Sequence, residues 1–157
     1  MDILSSLQQP DYNPDNLSEL CNDVYTKYQV TTQQANNLET ATRNQSISSL
    51  WYQHRMGRIT ASQAHDVLTR RVTTPADNLV KRIVGYSTYN LSSKNSVKWG
   101  IDHEEECRNA YVQHQQSTHT SFTCVPSGFV IDTNHPFLGA SPDGIVSCQC
   151  CGKGTLE

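Results

Sequence analysis

Apolar residues recur three and four apart along the chain to about residue 116 and then give way to short apolar runs separated by turn residues. Leu17, Leu20, Cys21, Val24, Tyr25 and Tyr28 predict a first helix, with Asp15 or Asn16 placed to cap it. A second begins at Thr31 or Thr32. Gln34 stands three residues after Thr31, the spacing of a capping box, and Ala35, Leu38 and Ala41 form the inward stripe. Ser48 or Ser49 caps a short helix through Trp51 and Arg55, and Gly57 breaks it. Thr60 with Gln63 then starts another that turns Ala64, Val67 and Leu68 inward. Thr74 and Pro75 read as the cap and first position of a helix running through Leu79, Ile83 and Val84 to a stop near Gly85. Residues 87–96 read as a polar loop and 97–116 as the longest helix. Strands are predicted over 121–125, 128–131, 144–148 and 154–157, with turns at 132–136 and 150–153. Helices followed by strands predict an α+β fold with the long helix packed on a small sheet. Residues 1–16, with Pro10 and Pro14 among Asp, Asn and Gln, read as a mobile lead-in.

Two segments of the strand region carry chemistry. Ser141-Pro142-Asp143-Gly144 opens one strand and Gly154-Thr155-Leu156-Glu157 ends another, so an Asp and a Glu on hairpin partners can share one divalent cation. Carboxylate oxygens suit a hard ion such as Mg²⁺, which polarises a phosphodiester and activates water. A lysine two residues after the Glu would share its strand face and orient that water. That position lies beyond residue 157. On the long helix, Glu104 is spaced with Ile101, Cys107 and Tyr111, an apolar face on which a carboxylate is expensive unless paired with Arg108 or bound to metal. Glu106 instead neighbours Asp102, His103, Asn109 and Gln113 and reads as solvated.

Three ordered blocks make the pattern specific. They are Trp51-Tyr-Gln-His-Arg55-Met-Gly57-Arg58-Ile59-Thr60-Ala61-Ser62, Trp99-Gly100-x-x-x-Glu104-x-x-x-Arg108, and Ser141-Pro-Asp-Gly followed by Gly154-x-Leu-Glu157. Together they resemble the YqaJ-type viral recombinase family, lambda exonuclease-like members of the PD-(D/E)xK nuclease superfamily. The resemblance covers about residues 48–157 and leaves 1–47 as a polar lead-in and helical preface. It implies a restriction-endonuclease-like core with a small mixed or antiparallel sheet, incomplete at its C-terminal end, and a metal-dependent DNA exonuclease or recombination nuclease. Asp143, Glu157 and Glu104 would be catalytic. These three with Asp132 would hold Mg²⁺ or Mn²⁺ in a two-metal site, and Arg55 with Ser62 would take the 5′-phosphate of linear duplex DNA. Asp132 equally suits an Asx-turn. The partners implied are linear duplex DNA, a homo-oligomer and a single-strand annealing protein, with no membrane. Without its lysine, residues 1–157 are expected to be inactive alone, since losing one preorganised catalytic charge costs about 10²–10³ in rate. The alternative class is a non-catalytic DNA-binding or domesticated mobile-element remnant.

Composition narrows this picture modestly. With 36% apolar residues and a mean hydropathy of −0.58, the chain suits one domain with a modest core and an intracellular, soluble setting, nuclear if the source is eukaryotic. The net charge of −3 divides into −4 over residues 1–50, +4 over 51–82 and −3 over 83–157. A basic middle beside an acidic end suits an enzyme acting on phosphates. Six cysteines without a secretion signal are expected as reduced thiols. Cys148-x-Cys150-Cys151, with Cys124 or His135, raises structural zinc as a rival. One tight turn without a second CxxC or HxxxH pair argues against it.

Overall fold

A computed structural model describes residues 16–86 and 94–157. Helix α1 (Leu17–Lys27) follows Asn16, whose side chain makes no capping bond. The predicted lead-in otherwise lies outside the described residues. Helix α2 (Thr32–Ala41) has the capping box its sequence encodes. The Gln34 N–H donates to the Thr31 hydroxyl at 3.2 Å, and the Thr31 N–H donates back to the Gln34 side chain at 2.9 Å. Ala35 and Leu38 are buried, whereas Ala41 is exposed and Thr42 takes its expected place in the core. Positions 35, 38 and 42 form the continuous i, i+3, i+7 stripe that Ala41 misses by one residue.

Thr42 joins the preface to the sheet. It is fully buried, donates to the Leu38 carbonyl at 2.7 Å and accepts from the Phe129 N–H at 2.8 Å. Beside it Glu39 accepts from the Gly128 N–H at 3.0 Å and pairs with Arg43. A Cβ on Gly128 would come within 1.8 Å of the Glu39 carbonyl oxygen, so only glycine permits this approach. Thr42→Val keeps the shape but strands the Phe129 N–H. It is expected to cost about 1–3 kcal/mol, read as a lower urea midpoint at unchanged slope. Phe129 itself lies at the centre of a core formed with Leu38 and Ile131, against which Leu50 and Trp51 pack.

Helix α3 (Ser49–Arg55) begins at Ser48, whose hydroxyl accepts from the Trp51 N–H at 3.4 Å. Gly57, at φ 75°, breaks it as predicted. Strand β1 (Ile59–Thr60) and helix α4 (Ala61–Thr69) follow. Ala64 and Val67 are half-buried, but Leu68 is exposed, contrary to its expected inward direction. Helix α5 (Asp77–Ile83) starts later than Thr74 and Pro75 suggest. Thr74 is tied into the preceding turn, its N–H donating to the Arg71 carbonyl at 2.9 Å and its own carbonyl accepting from Arg70 at 2.5 Å.

Helix α6 (Asn95–Gln116) includes Asn95 and Ser96, assigned above to the loop; residues 87–93 of that loop lie outside the described residues. Its half-buried positions include Arg108, Tyr111 and Val112, and Tyr111 meets Phe122 edge-on with ring centroids 6.0 Å apart. Of the face assigned to Glu104 only Tyr111 packs, and Ile101, Glu104 and Cys107 are all exposed. Strands β2 (Thr123–Val125), β3 (Val130–Ile131), β4 (Leu138–Ala140), β5 (Gly144–Cys148) and β6 (Gly152–Leu156) complete the described fold. They make two three-stranded sheets. One is mixed, ordered β1-β4-β3 with β1 parallel to β4; the other is antiparallel, ordered β2-β5-β6. The molecule is thus α+β with a helical N-terminal part. Strands β1 and β4 were not predicted because runs of two and three residues have no readable period, and their pairing joins distant segments.

Candidate functional site

The first and third sequence blocks meet at Ser141. Trp51 and Arg55 lie four apart on α3 and therefore on one face. The Trp51 indole N–H donates to the Ser141 hydroxyl at 2.9 Å, and the Arg55 guanidinium donates to the same oxygen at 3.2 Å. The guanidinium also lies over the Trp51 ring, 4.1 Å from its centroid. Gln45, which the sequence gave no reason to single out, fixes the next residue. Its amide donates to the carbonyls of Pro142 at 2.9 Å and Ser127 at 3.0 Å. Its backbone takes φ 41°, an uncommon conformation for a residue other than glycine.

Arg55 is half-buried, and burial draws its pKa below the ordinary arginine value, although the group stays charged. None of the ion pairs among the described residues involves it. A partly desolvated guanidinium with no carboxylate partner among the described residues is suited to two oxygens of an oxyanion such as a phosphate. Ser62 is exposed in the first turn of α4, and its hydroxyl meets Thr60 Oγ1 at 3.1 Å. Arg55 and Ser62 thus bond to different partners. Of the basic pair on α5, Arg82 is held by Asp66 at 2.5 Å and Lys81 is exposed.

The β5–β6 ladder sets the two motif carboxylates. Gly144 pairs with Leu156, and the Asp143 N–H donates to the Leu156 carbonyl at 3.0 Å. That bond departs by one residue from the ladder's register, so Asp143 is drawn with Gly144 toward Leu156, and Asp143 and Glu157 share only the same end of the hairpin. Carboxylates at one end of a hairpin are the ligand type that a hard cation takes. The other two candidates are engaged elsewhere. Glu104 accepts from Arg108 at 3.3 Å on the exposed side of α6. Asp132 forms an Asx-turn, accepting from the Asn134 N–H at 2.9 Å and meeting His135 Nδ1 at 2.9 Å. The His135 contact, aided by that backbone N–H, holds its carboxyl below the usual range. Asp132 also borders a cavity of about 360 Å³ whose other lining residues include no carboxylate. Asp143, Glu157, Glu104 and Asp132 form no ligand cluster among the described residues.

A different cluster does form. Cys148, Cys150 and Cys151 gather around His119, with their four donor atoms within 4.8 Å of one another. His119 Nδ1 lies 3.2 Å from Cys150 Sγ and 3.6 Å from the sulfurs of Cys148 and Cys151. The His119 contact first, and Cys148 next, lower the Cys150 thiol to about 6; Cys150 and Cys148 push Cys151 up to about 11. Cys124 and His135, weighed above as partners, are not members, and all six cysteines are free thiols. The signal for His119 was the strand pairing. Thr123 pairs with Ser147, and the Gln149 N–H donates to the Thr120 carbonyl at 3.0 Å, so the segment before β2 runs beside the Cys-rich turn.

No described helix is long and apolar enough to cross a membrane. Compared with known proteins, the chain matches the family model of the YqaJ-like viral recombinase domain over residues 50–157. No curated protein and no solved structure matches it. With more than half its length matched, the chain belongs to the YqaJ-like viral recombinase family, whose domain points to nuclease or recombination work with DNA as substrate.

Proposed function

We propose that this chain carries the end-binding and metal-binding part of a nuclease that hydrolyses phosphodiesters of linear duplex DNA from a 5′-phosphorylated end. The observation that carries this reading is the meeting of Trp51 and Arg55 on Ser141, two residues before Asp143. It sets a guanidinium with no carboxylate partner among the described residues beside the turn that leads through Asp143 into β5. Arg55 takes the terminal phosphate, with Ser62 in the first turn of α4 as a further donor. Asp143 and Glu157 hold Mg²⁺ or Mn²⁺, and a bound ion of this kind supplies Lewis-acid activation of phosphate and water. Glu104 and Asp132, held by Arg108 and His135, are the candidates for a second metal. A homo-oligomer and a single-strand annealing protein are the partners this reading allows.

One observation favours a second reading, DNA binding without turnover: the four carboxylates are not gathered. Release of nucleotides from 5′-phosphorylated duplex by the native protein in Mg²⁺ separates the two. Hydrolysis that falls by at least about 10²-fold in Asp143→Ala supports the nuclease. End binding with no hydrolysis by a form that includes a lysine two residues after Glu157 supports the second reading, and hydrolysis unchanged by Asp143→Ala removes the assigned metal site.

A further inference from the structure

We propose that His119, Cys148, Cys150 and Cys151 bind one structural Zn²⁺ ion that fastens the β5–β6 hairpin to the segment entering β2. The donor set and its spacing carry the assignment. A tetrahedral zinc with Zn–S near 2.3 Å and Zn–N near 2.0–2.1 Å has S···S edges of about 3.8 Å and S···N edges of about 3.5 Å. Five of the six edges are 3.4 Å for Cys148–Cys150, 3.8 Å for Cys150–Cys151, and 3.2, 3.6 and 3.6 Å from His119 Nδ1 to the sulfurs of Cys150, Cys148 and Cys151, and the sixth, Cys148–Cys151, is within 4.8 Å. One nitrogen approaching three sulfurs almost equally is the arrangement of four ligands around a common centre. A disulfide would instead draw two sulfurs together and leave the third and the histidine aside.

The chemistry selects the ion. Three thiolates and an imidazole suit zinc and are poor ligands for Mg²⁺, which takes oxygen. All four donors lie within 4.8 Å of one another, room for one ion. Two local features serve such a site. The Cys151 N–H donates to Cys148 Sγ at 3.3 Å, a bond that offsets thiolate charge, and Gly152 at φ 83° lets the chain turn directly into β6. His119, Cys150 and Cys151 lie outside the strands, with Cys148 ending β5, so the ligands close the end of the ladder opposite Asp143 and Glu157.

That position gives the ion a purpose. Strand β6 is short and holds Gly152 and Gly154, and its residues from 152 to 155 are exposed, so packing specifies its register weakly. A slip of one residue would move the side chains of β6 and the Glu157 that follows it to the other face of the sheet. A zinc ion at the turn fixes the register from one end. This metal is structural and separate from the carboxylate pair, and its assignment stands whether or not the chain is a nuclease.

Elemental analysis of the full chain, expressed without an affinity histidine tag and purified without chelator, tests the proposal. One zinc per chain is expected, falling to little or none in Cys150→Ser and His119→Ala. His119→Cys, which restores a fourth ligand, should keep the metal and guards against loss through misfolding alone. Co²⁺ added to the metal-free chain should give the visible bands of a tetrahedral ion with thiolate-to-cobalt charge transfer. Acidification should release the metal, because protons compete for the thiolates and imidazole. A wild-type chain that neither retains zinc nor gives tetrahedral cobalt bands overturns the proposal. So does zinc content unchanged in both loss variants, or a mass showing a disulfide within the cluster.

Discussion

Arg55→Ala is expected to weaken binding of a 5′-phosphorylated duplex end by about 10- to 100-fold. Hydrogen bonds to charged groups contribute about 1.5–3 kcal/mol, and each 1.4 kcal/mol is tenfold in affinity. Arg55 is half-buried, has no carboxylate partner among the described ion pairs, and is held over Trp51 with one bond to Ser141, so its fork is oriented before DNA arrives. Arg55→Lys keeps the charge but loses the planar fork and should recover only part of the loss. Fluorescence anisotropy with a labelled duplex reads both variants. A thermal melt of each variant matters as a control, because the same guanidinium contacts Ser141. The salt dependence should be shallow, since recognition of an end uses few phosphates. Equal affinity of wild type and Arg55→Ala would remove Arg55 from the interface.

Phe129→Ala is expected to be the most destabilising single truncation among the core residues, at about 3–5 kcal/mol. Phe129 is wholly buried and is the residue on which separate parts of the chain converge. Leu38 of α2 and Ile131 of β3 surround it, Leu50 and Trp51 of α3 pack against that cluster, and its N–H is held by Thr42. A Cβ on Gly139 of β4 would lie 2.3 Å from its ring, which shows how closely the neighbouring strand is fitted. For a domain of this size the loss corresponds to a fall of roughly 6–20 °C in melting temperature. Because Trp51 packs on the same cluster and bonds to Ser141, end binding should weaken along with stability. A shift of only a degree or two would show that the preface does not form part of the core.

Much of the local structure was legible. The Thr31/Gln34 box, the stop at Gly57 and the Ala35/Leu38 face are encoded within a turn or two of sequence and appear in the fold. What failed to show was nonlocal. Strands β1 and β4 are too short to carry a period, and they exist through a parallel pairing across some eighty residues. Gln45 acquires its role only when Pro142 and Ser127 come within reach. Ile101, Cys107 and Tyr111 share the spacing of Glu104, yet of these only Tyr111 packs, and α6 turns it toward the protein together with Arg108 and Val112. Hydrophobic spacing identifies a stripe, but the packing partner decides which stripe is buried. The fourth member of the cysteine cluster was hidden for the same reason: it comes from 29 residues before Cys148, brought there by β2 pairing with β5.

The central claim is that one arginine on α3 reads the phosphate at a DNA end. Its most direct measurement is a double cycle of affinities, wild type and Arg55→Ala each against the same linear duplex bearing a 5′-phosphate or a 5′-hydroxyl, at one salt concentration. The expected result is tighter binding of the phosphorylated end by at least about tenfold in the wild type, with the preference abolished in Arg55→Ala. A wild type indifferent to the phosphate, or a preference of the same size in both proteins, would contradict it.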